Sequence, residues 1–151
     1  MVDLTLLKKL RNETLAGIAD CRKALEESNN DYKKAIDWIK KNGLEKAAKK
    51  SDRETSQGLV ESYIHQNGRI GALVEVLCET DFVAKTEDFK TLAHEIALQI
   101  ASMSPENVEE LLEQEYVRDP GQKVGDLVKS AIAKLGENIK IGRFSRIALG
   151  Q

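Results

Sequence analysis

A chain of 151 residues, 41% of them apolar and 32% charged, can build one cored domain, or a small module plus a domain, without disulfide or metal staples. Its formal charge of -2 argues against a dedicated nucleic-acid binder, and its aromatic content of 5% argues against a base-stacking platform. No apolar run approaches the ~18 residues of a membrane-spanning helix, the N-terminus resembles neither a signal nor a transit peptide, and Cys21 and Cys78 match no disulfide or metal spacing, so a reducing cytoplasm is expected.

The first segment reads as three short helices. Leu4, Leu7 and Leu10 recur at helical spacing behind Asp3, a natural cap. Gly17 breaks the chain, and a second helix follows with Ile18, Cys21 and Leu25 on one face. Residues 28–31 form a polar turn and cap cluster. A third helix buries Tyr32, Ala35, Ile36 and Ile39, and Asn42-Gly43 reads as its left-handed stop. Such a small core is expected to be marginal alone. Residues 1–43 therefore read as a module and 44–57 as a linker. Lys46, Lys49 and Lys50 there form either a solvated face or a phosphate contact.

Residues 58–151 read as an α+β core. Two apolar runs flank Asn67-Gly68, a strong hairpin signal that pairs Gln66 with Arg69 and asks for positive φ at both turn residues. In that register Leu59, Tyr63, Ile70, Ala72, Val74 and Val76 share one face, and Val60, Ile64, Leu73 and Leu77 the other. Both faces are apolar, so one needs a cover beyond this chain's own helices, such as another subunit. Phe89, Leu92, Ala93, Ile96, Ala97 and Ile100 mark a strong amphipathic helix. Ser104-Pro105 is expected to open a short helix through Leu111 and Leu112, and Asp119-Pro120-Gly121 to form a turn. Val124, Leu127, Val128, Ala131, Ile132 and Leu135 repeat the stripe before Gly136. Residues 139–149 read as a last strand with a bend or bulge at Gly142. The expected order is three helices, linker, two strands, three helices and a strand, with a three-stranded antiparallel sheet.

Enzyme chemistry finds little support. His65 and His94 have no partner at a zinc spacing, no nucleophile elbow or phosphate-binding glycine loop exists, and both cysteines read as packed thiols. No metal, cofactor or direct nucleotide binding is expected. The corner at Thr80-Asp81-Phe82-Val83, between the second strand and the long helix, supports two readings. Thr80 or Asp81 caps a helix while Phe82 plugs the core, or the corner presents a carboxylate and an aromatic ring to a partner.

Three stretches give the chain a resemblance to a known family: residues 8–25, with Lys8-Lys9-Leu10-Arg11 and Thr14-Leu15-Ala16-Gly17-Ile18-Ala19-Asp20-Cys21; residues 78–85, Cys78-Glu79-Thr80-Asp81-Phe82-Val83-Ala84-Lys85; and Gly136-Glu137-Asn138-Ile139 with Arg143. In this order they resemble bacterial elongation factor Ts, the nucleotide exchange factor of elongation factor Tu. The resemblance implies a ubiquitin-associated-like N-terminal module. It implies that Lys8, Arg11, Ile18 and Ala19 touch elongation factor Tu, and that Thr80, Asp81, Phe82 and Val83 belong to the segment that dislodges Mg²⁺ from that partner. Longer members carry two copies of the core unit and a coiled-coil insertion, whereas one unit is found here. Short members make up the second unit as homodimers, which implies sheets packed face to face across a two-fold axis. The competing class is a helical binding module for ubiquitin-like or nascent-chain ligands, in which the corner at residues 80–83 would be idle. An RNA-associated accessory role for the lysine cluster is a further alternative, with steeply salt-dependent binding as its signature.

Overall fold

The computed structural model describes all 151 residues. Three helices come first, α1 (Leu4–Thr14), α2 (Ile18–Glu27) and α3 (Tyr32–Lys50). Asp3 caps α1 by accepting from the Thr5 and Leu6 amides at 2.8 and 3.2 Å. Asp31 caps α3 by accepting from the Lys34 amide at 3.1 Å. Leu10, Cys21, Ala24, Leu25 and Ala35 form a small sealed core, with Tyr32, Ile36 and Ile39 packed on it. Ile18 does not share the buried face expected for it. It opens α2 ahead of the packed turns and is exposed.

Helix α3 does not stop at Asn42-Gly43 but continues to Lys50. Gly43 serves close approach instead. A Cβ there would lie 3.2 Å from the Ala133 Cβ on a later helix. The good helix formers after it keep the helix going, and Ala47 is buried in the main core. Lys46 is not a free linker lysine, because it pairs with Asp20 at 2.5 Å. Residues 51–56 alone join α3 to the sheet without regular structure.

Strands β1 (Gln57–Ile64) and β2 (Ile70–Cys78) pair antiparallel, from Gln57 opposite Cys78 to Ile64 opposite Gly71. This is the register expected from Gln66 and Arg69. The turn differs in detail. Gly68 has φ 70° and Asn67 is not left-handed, because the closing bond runs from the Gly68 amide to the His65 carbonyl at 2.8 Å. Strand β5 (Ile139–Ala148) completes the sheet in the order β1-β2-β5, with an irregularity between Val74 and Val76 opposite Gly142.

Between β2 and β5 lie α4 (Asp81–Ala84), α5 (Glu87–Met103), α6 (Val108–Glu113), a small hairpin of β3 (Glu115–Tyr116) and β4 (Asp119–Lys123), and α7 (Val124–Leu135). Four helices therefore replace the expected three, since the corner makes its own short turn before Thr86 caps α5. Ser104 ends α5 in a left-handed conformation, and Asn107 caps α6 by accepting from the Glu110 amide at 2.8 Å. Asp119-Pro120-Gly121 lies in β4, and the turn falls at Val117-Arg118. Buried Gln99 is the cause. Its Oε1 accepts from the Val117 amide at 2.9 Å, and its Nε2 donates to the Glu115 carbonyl at 3.0 Å, so one side chain holds the backbone from β3 into that turn.

Helices α5 and α7 bury their stripes on one face of the sheet, where Phe89, Ile96, Ile100 and Ile132 meet Val74 and Val76. The other face keeps Val60, Ile64, Leu73 and Ile147 in solvent.

Candidate partner interface

The corner between β2 and α5 is built to stay open. Strand β2 ends at Cys78, whose buried thiol donates to the Thr80 carbonyl at 3.1 Å. Burial pushes that thiol's pKa up, which favours a packed neutral thiol. Thr80 caps α4, its Oγ1 accepting from the Val83 amide at 3.3 Å. The capping half of the first reading holds, but Phe82 does not plug the core. Its ring is 86% exposed, whereas Val83 packs against the main core and Ala84 is buried. A four-residue helix with its last residues inside and its second outside leaves the aromatic ring unpartnered.

Asp81 points to solvent and pairs with Lys85 one turn on at 2.8 Å. The hydrogen bond that Lys85 donates to Asp81, then the Asp81 charge, raises the Lys85 pKa. Both groups are exposed, so water and salt screen the pair and a partner can separate it at low cost.

What fixes the corner comes from far along the chain. The Thr80 amide and hydroxyl donate to the two carboxylate oxygens of Glu137 at 2.9 and 2.6 Å. Glu79 reciprocates, accepting from the Asn138 amide at 2.6 Å, and lies 3.7 Å from the Arg53 guanidinium. The Asn138 side chain donates to the Ser51 and Arg53 carbonyls at 3.3 and 2.8 Å. Sequence reasoning had Glu137 and Asn138 only inside a stretch shared with a family. No local pattern marks a clamp whose halves are 57 residues apart.

The N-terminal residues singled out from the sequence all face outward. Lys8, Arg11, Ile18 and Ala19 are exposed on α1 and the start of α2. Leu15, held at φ 58° where α1 ends, is an exposed apolar residue beside them that the sequence reading did not single out as a contact. Behind them a cavity of about 390 Å³ runs between the helices and α7, with Leu15, Asp20, Ile39, Lys46, Ala133 and Lys134 among its lining residues. The structure does not bring Lys8, Arg11, Ile18 and Ala19 together with residues 80–83 in one patch. They are two surfaces on one frame, joined by α3.

No group of three or more His, Cys, Asp or Glu side chains is placed to hold a metal ion. His94 is exposed and stacks edge-on with Tyr63, and the Tyr63 hydroxyl meets the His65 Nδ1 at 3.2 Å. No helix is long and apolar enough to cross a membrane.

A family model described as elongation factor TS matches residues 79–151, from the corner to the C-terminal residue of the sequence. Full-length similarity is also strong. An elongation factor Ts of Oleidesulfovibrio alaskensis is 41% identical over 99% of this chain and 98% of its own length. One of Coprothermobacter proteolyticus is 44% identical over 99% of both chains. One of Rippkaea orientalis is 41% identical over 96% of this chain and 77% of its own. The first alignment runs over 194 positions against 151 residues here, so that relative carries segments with no counterpart in this chain.

Proposed function

The chain belongs to the elongation factor Ts family, and from that premise we propose that it is the guanine nucleotide exchange factor of elongation factor Tu in translation elongation, working in the cytoplasm. It makes and breaks no covalent bonds. It binds the GDP form, dislodges Mg²⁺ from the partner's site and promotes GDP release so that GTP can enter. One observation carries this reading: an aromatic ring, Phe82, stands 86% exposed on a corner whose neighbours are clamped.

The physical logic is displacement at a distance. Phe82 enters an apolar slot of the partner, and Asp81, released from Lys85, competes for polar groups near the metal. Thr80 and Val83 hold these two side chains at the right pitch. Loss of the metal removes the largest local positive charge on the β-phosphate. The factor must bind the metal-free form better than the loaded form, or it shifts nothing. Moving nucleotide affinity by roughly 10⁴ needs about 5.5 kcal/mol of differential binding, and one buried Phe supplies about 1.5 to 3 kcal/mol. The remainder comes from the core and from the N-terminal helices, which dock through Lys8, Arg11, Ile18 and Ala19. Residues 1–43 serve as a ubiquitin-associated-like docking module and 58–151 as the core, with 44–57, the end of α3 and the stretch up to the start of β1, as the connection. By linkage, nucleotide binding expels the factor by the same ratio, which recycles it. The apolar outer face of the sheet supports a homodimer in which two such faces pack together.

The test is release of a fluorescent GDP analogue from elongation factor Tu by stopped flow, with wild type and Phe82→Ala across a concentration series. Wild type is expected to accelerate release, and Phe82→Ala to lower the plateau rate. A folded wild type without acceleration would remove the proposal. Equal plateaus would keep the function and take Phe82 out of the displacing step.

A further inference from the structure

The exposed corner can displace nothing unless it resists being pushed back. A four-residue helix has too few internal hydrogen bonds to hold its own position. Its rigidity has to come from elsewhere, and two adjacent residues before β5 provide it. Both oxygens of the Glu137 carboxylate are spent on Thr80, one on the amide and one on the hydroxyl. The same hydroxyl accepts from the Val83 amide, so the clamp reaches both sides of Phe82. Asn138, 2% exposed, ties the opposite way, to the carbonyls of Ser51 and Arg53 where α3 runs out. Glu79 closes the loop through the Asn138 amide and Arg53.

We propose that Glu137, with Asn138 beside it, is a positioning residue for nucleotide displacement, holding the Asp81-Phe82 corner at a fixed place relative to the end of helix α3 and hence to the N-terminal helices. Glu137 touches Thr80 and acts through it. This inference rests on the exchange reading above, and deepens it. A purely structural glutamate would serve overall stability. A positioning glutamate sets how much of the docking energy reaches the nucleotide site, and misplacing such a group by an ångström can cost roughly 100-fold.

Two measurements on Glu137→Ala and Glu137→Gln decide it. In the free protein, amide hydrogen exchange is read at Thr80 and Val83, with Val76 in β2 as the internal reference. Glu137→Ala is expected to raise exchange at Thr80 and Val83 by about tenfold or more while Val76 is unmoved. Glu137→Gln keeps one acceptor for Thr80 and is expected to fall between. Against elongation factor Tu, Glu137→Ala is expected to lower the plateau rate of GDP release by roughly tenfold or more, with the half-saturating concentration changed less than about twofold. Glu137→Gln should recover part of the plateau.

Unchanged exchange at Thr80 and Val83 would mean that there is no clamp, and the inference falls. Faster exchange there with an unchanged plateau would make the clamp structural only, and it also falls. A weaker half-saturating concentration with an unchanged plateau would assign Glu137 to docking and overturn positioning. Failure of wild type itself to accelerate release would sink the exchange reading, and the positioning role with it, whatever the amides show.

Discussion

Phe82 and Phe89 are seven residues apart and have opposite fates. Phe89, in the first turn of α5, is wholly buried in the main core, and Phe82 is 86% exposed. Truncating a packed ring leaves a cavity, so Phe89→Ala is expected to lose about 3 to 5 kcal/mol in urea unfolding. Phe82→Ala removes no packing and should stay within about 0.5 kcal/mol of wild type. That pair of results would separate a residue kept for stability from one kept for contact. Tyr116 gives a prediction in pH. Its hydroxyl donates to the Glu95 Oε2 at 2.6 Å, and burial first, then that carboxylate, pushes its pKa up to about 12. The fold thus favours the neutral phenol. Its contribution is fully present below the ordinary value of 10.0 and is lost as pH rises toward about 12. Tyr116→Phe is expected to flatten the alkaline fall in stability over that window, read as the urea midpoint against pH. A fall as steep in the variant would mean that other groups, such as the similarly raised Tyr32, carry it.

Helix α3 belongs to both halves of the molecule, and at Gly43 it lies close against Ala133 of α7. Gly43→Leu puts a branched side chain where Ala133 already stands. Overpacking of this kind costs about 1 to 3 kcal/mol, and Trp38, on the same helix, should report it as an earlier fluorescence transition in urea. A wild-type midpoint would mean that the seam between α3 and α7 is loose. The same helix shows where sequence reading stops. Asn42-Gly43 followed by a charged run has the local chemistry of a helix end, and only Ala133, 90 positions later, explains the glycine otherwise. The stripes of α5 and α7 and the pairing of β1 with β2 were legible because their signal is periodic and local. The β3–β4 hairpin was not, because a single buried Gln99 from another element organises it. The corner was legible as a corner. The exposure of Phe82 was not, since a helix start beside an apolar strand is compatible with a ring turned either way. Glu137 and Asn138 were unreadable as a clamp for the same reason as Gly43: their partners are remote in sequence.

For the whole molecule the open question is what covers the outer face of the sheet. Val60, Ile64, Leu73 and Ile147 stand more than half exposed there, on three adjacent strands. Around them the face is polar, with Arg143 bonded to Glu75 through its amide and Nε at 2.9 Å. Arg143 and its charge hold the Glu75 carboxyl down at about 2, so this pair keeps both charges through the neutral range. An apolar centre with a charged rim is the anatomy of an interface. With a two-fold axis through it, every substitution enters twice, and a charge placed near the centre faces its own copy. Leu73 lies on the middle strand, is half exposed in the single chain, and so tolerates a lysine without disturbing the fold. Wild type is expected to sediment as two 16.8 kDa chains, and Leu73→Lys as one, with the far-ultraviolet circular dichroism unchanged. A wild type that sediments as one chain at all concentrations would remove the homodimer. A dimer that survives Leu73→Lys would move the interface off this face. If the dimer forms as expected, each assembly carries two exposed Phe82 corners and two sets of N-terminal helices. Titration against elongation factor Tu should then saturate at one partner per chain, because the face used for dimerisation is separate from the residues proposed for docking.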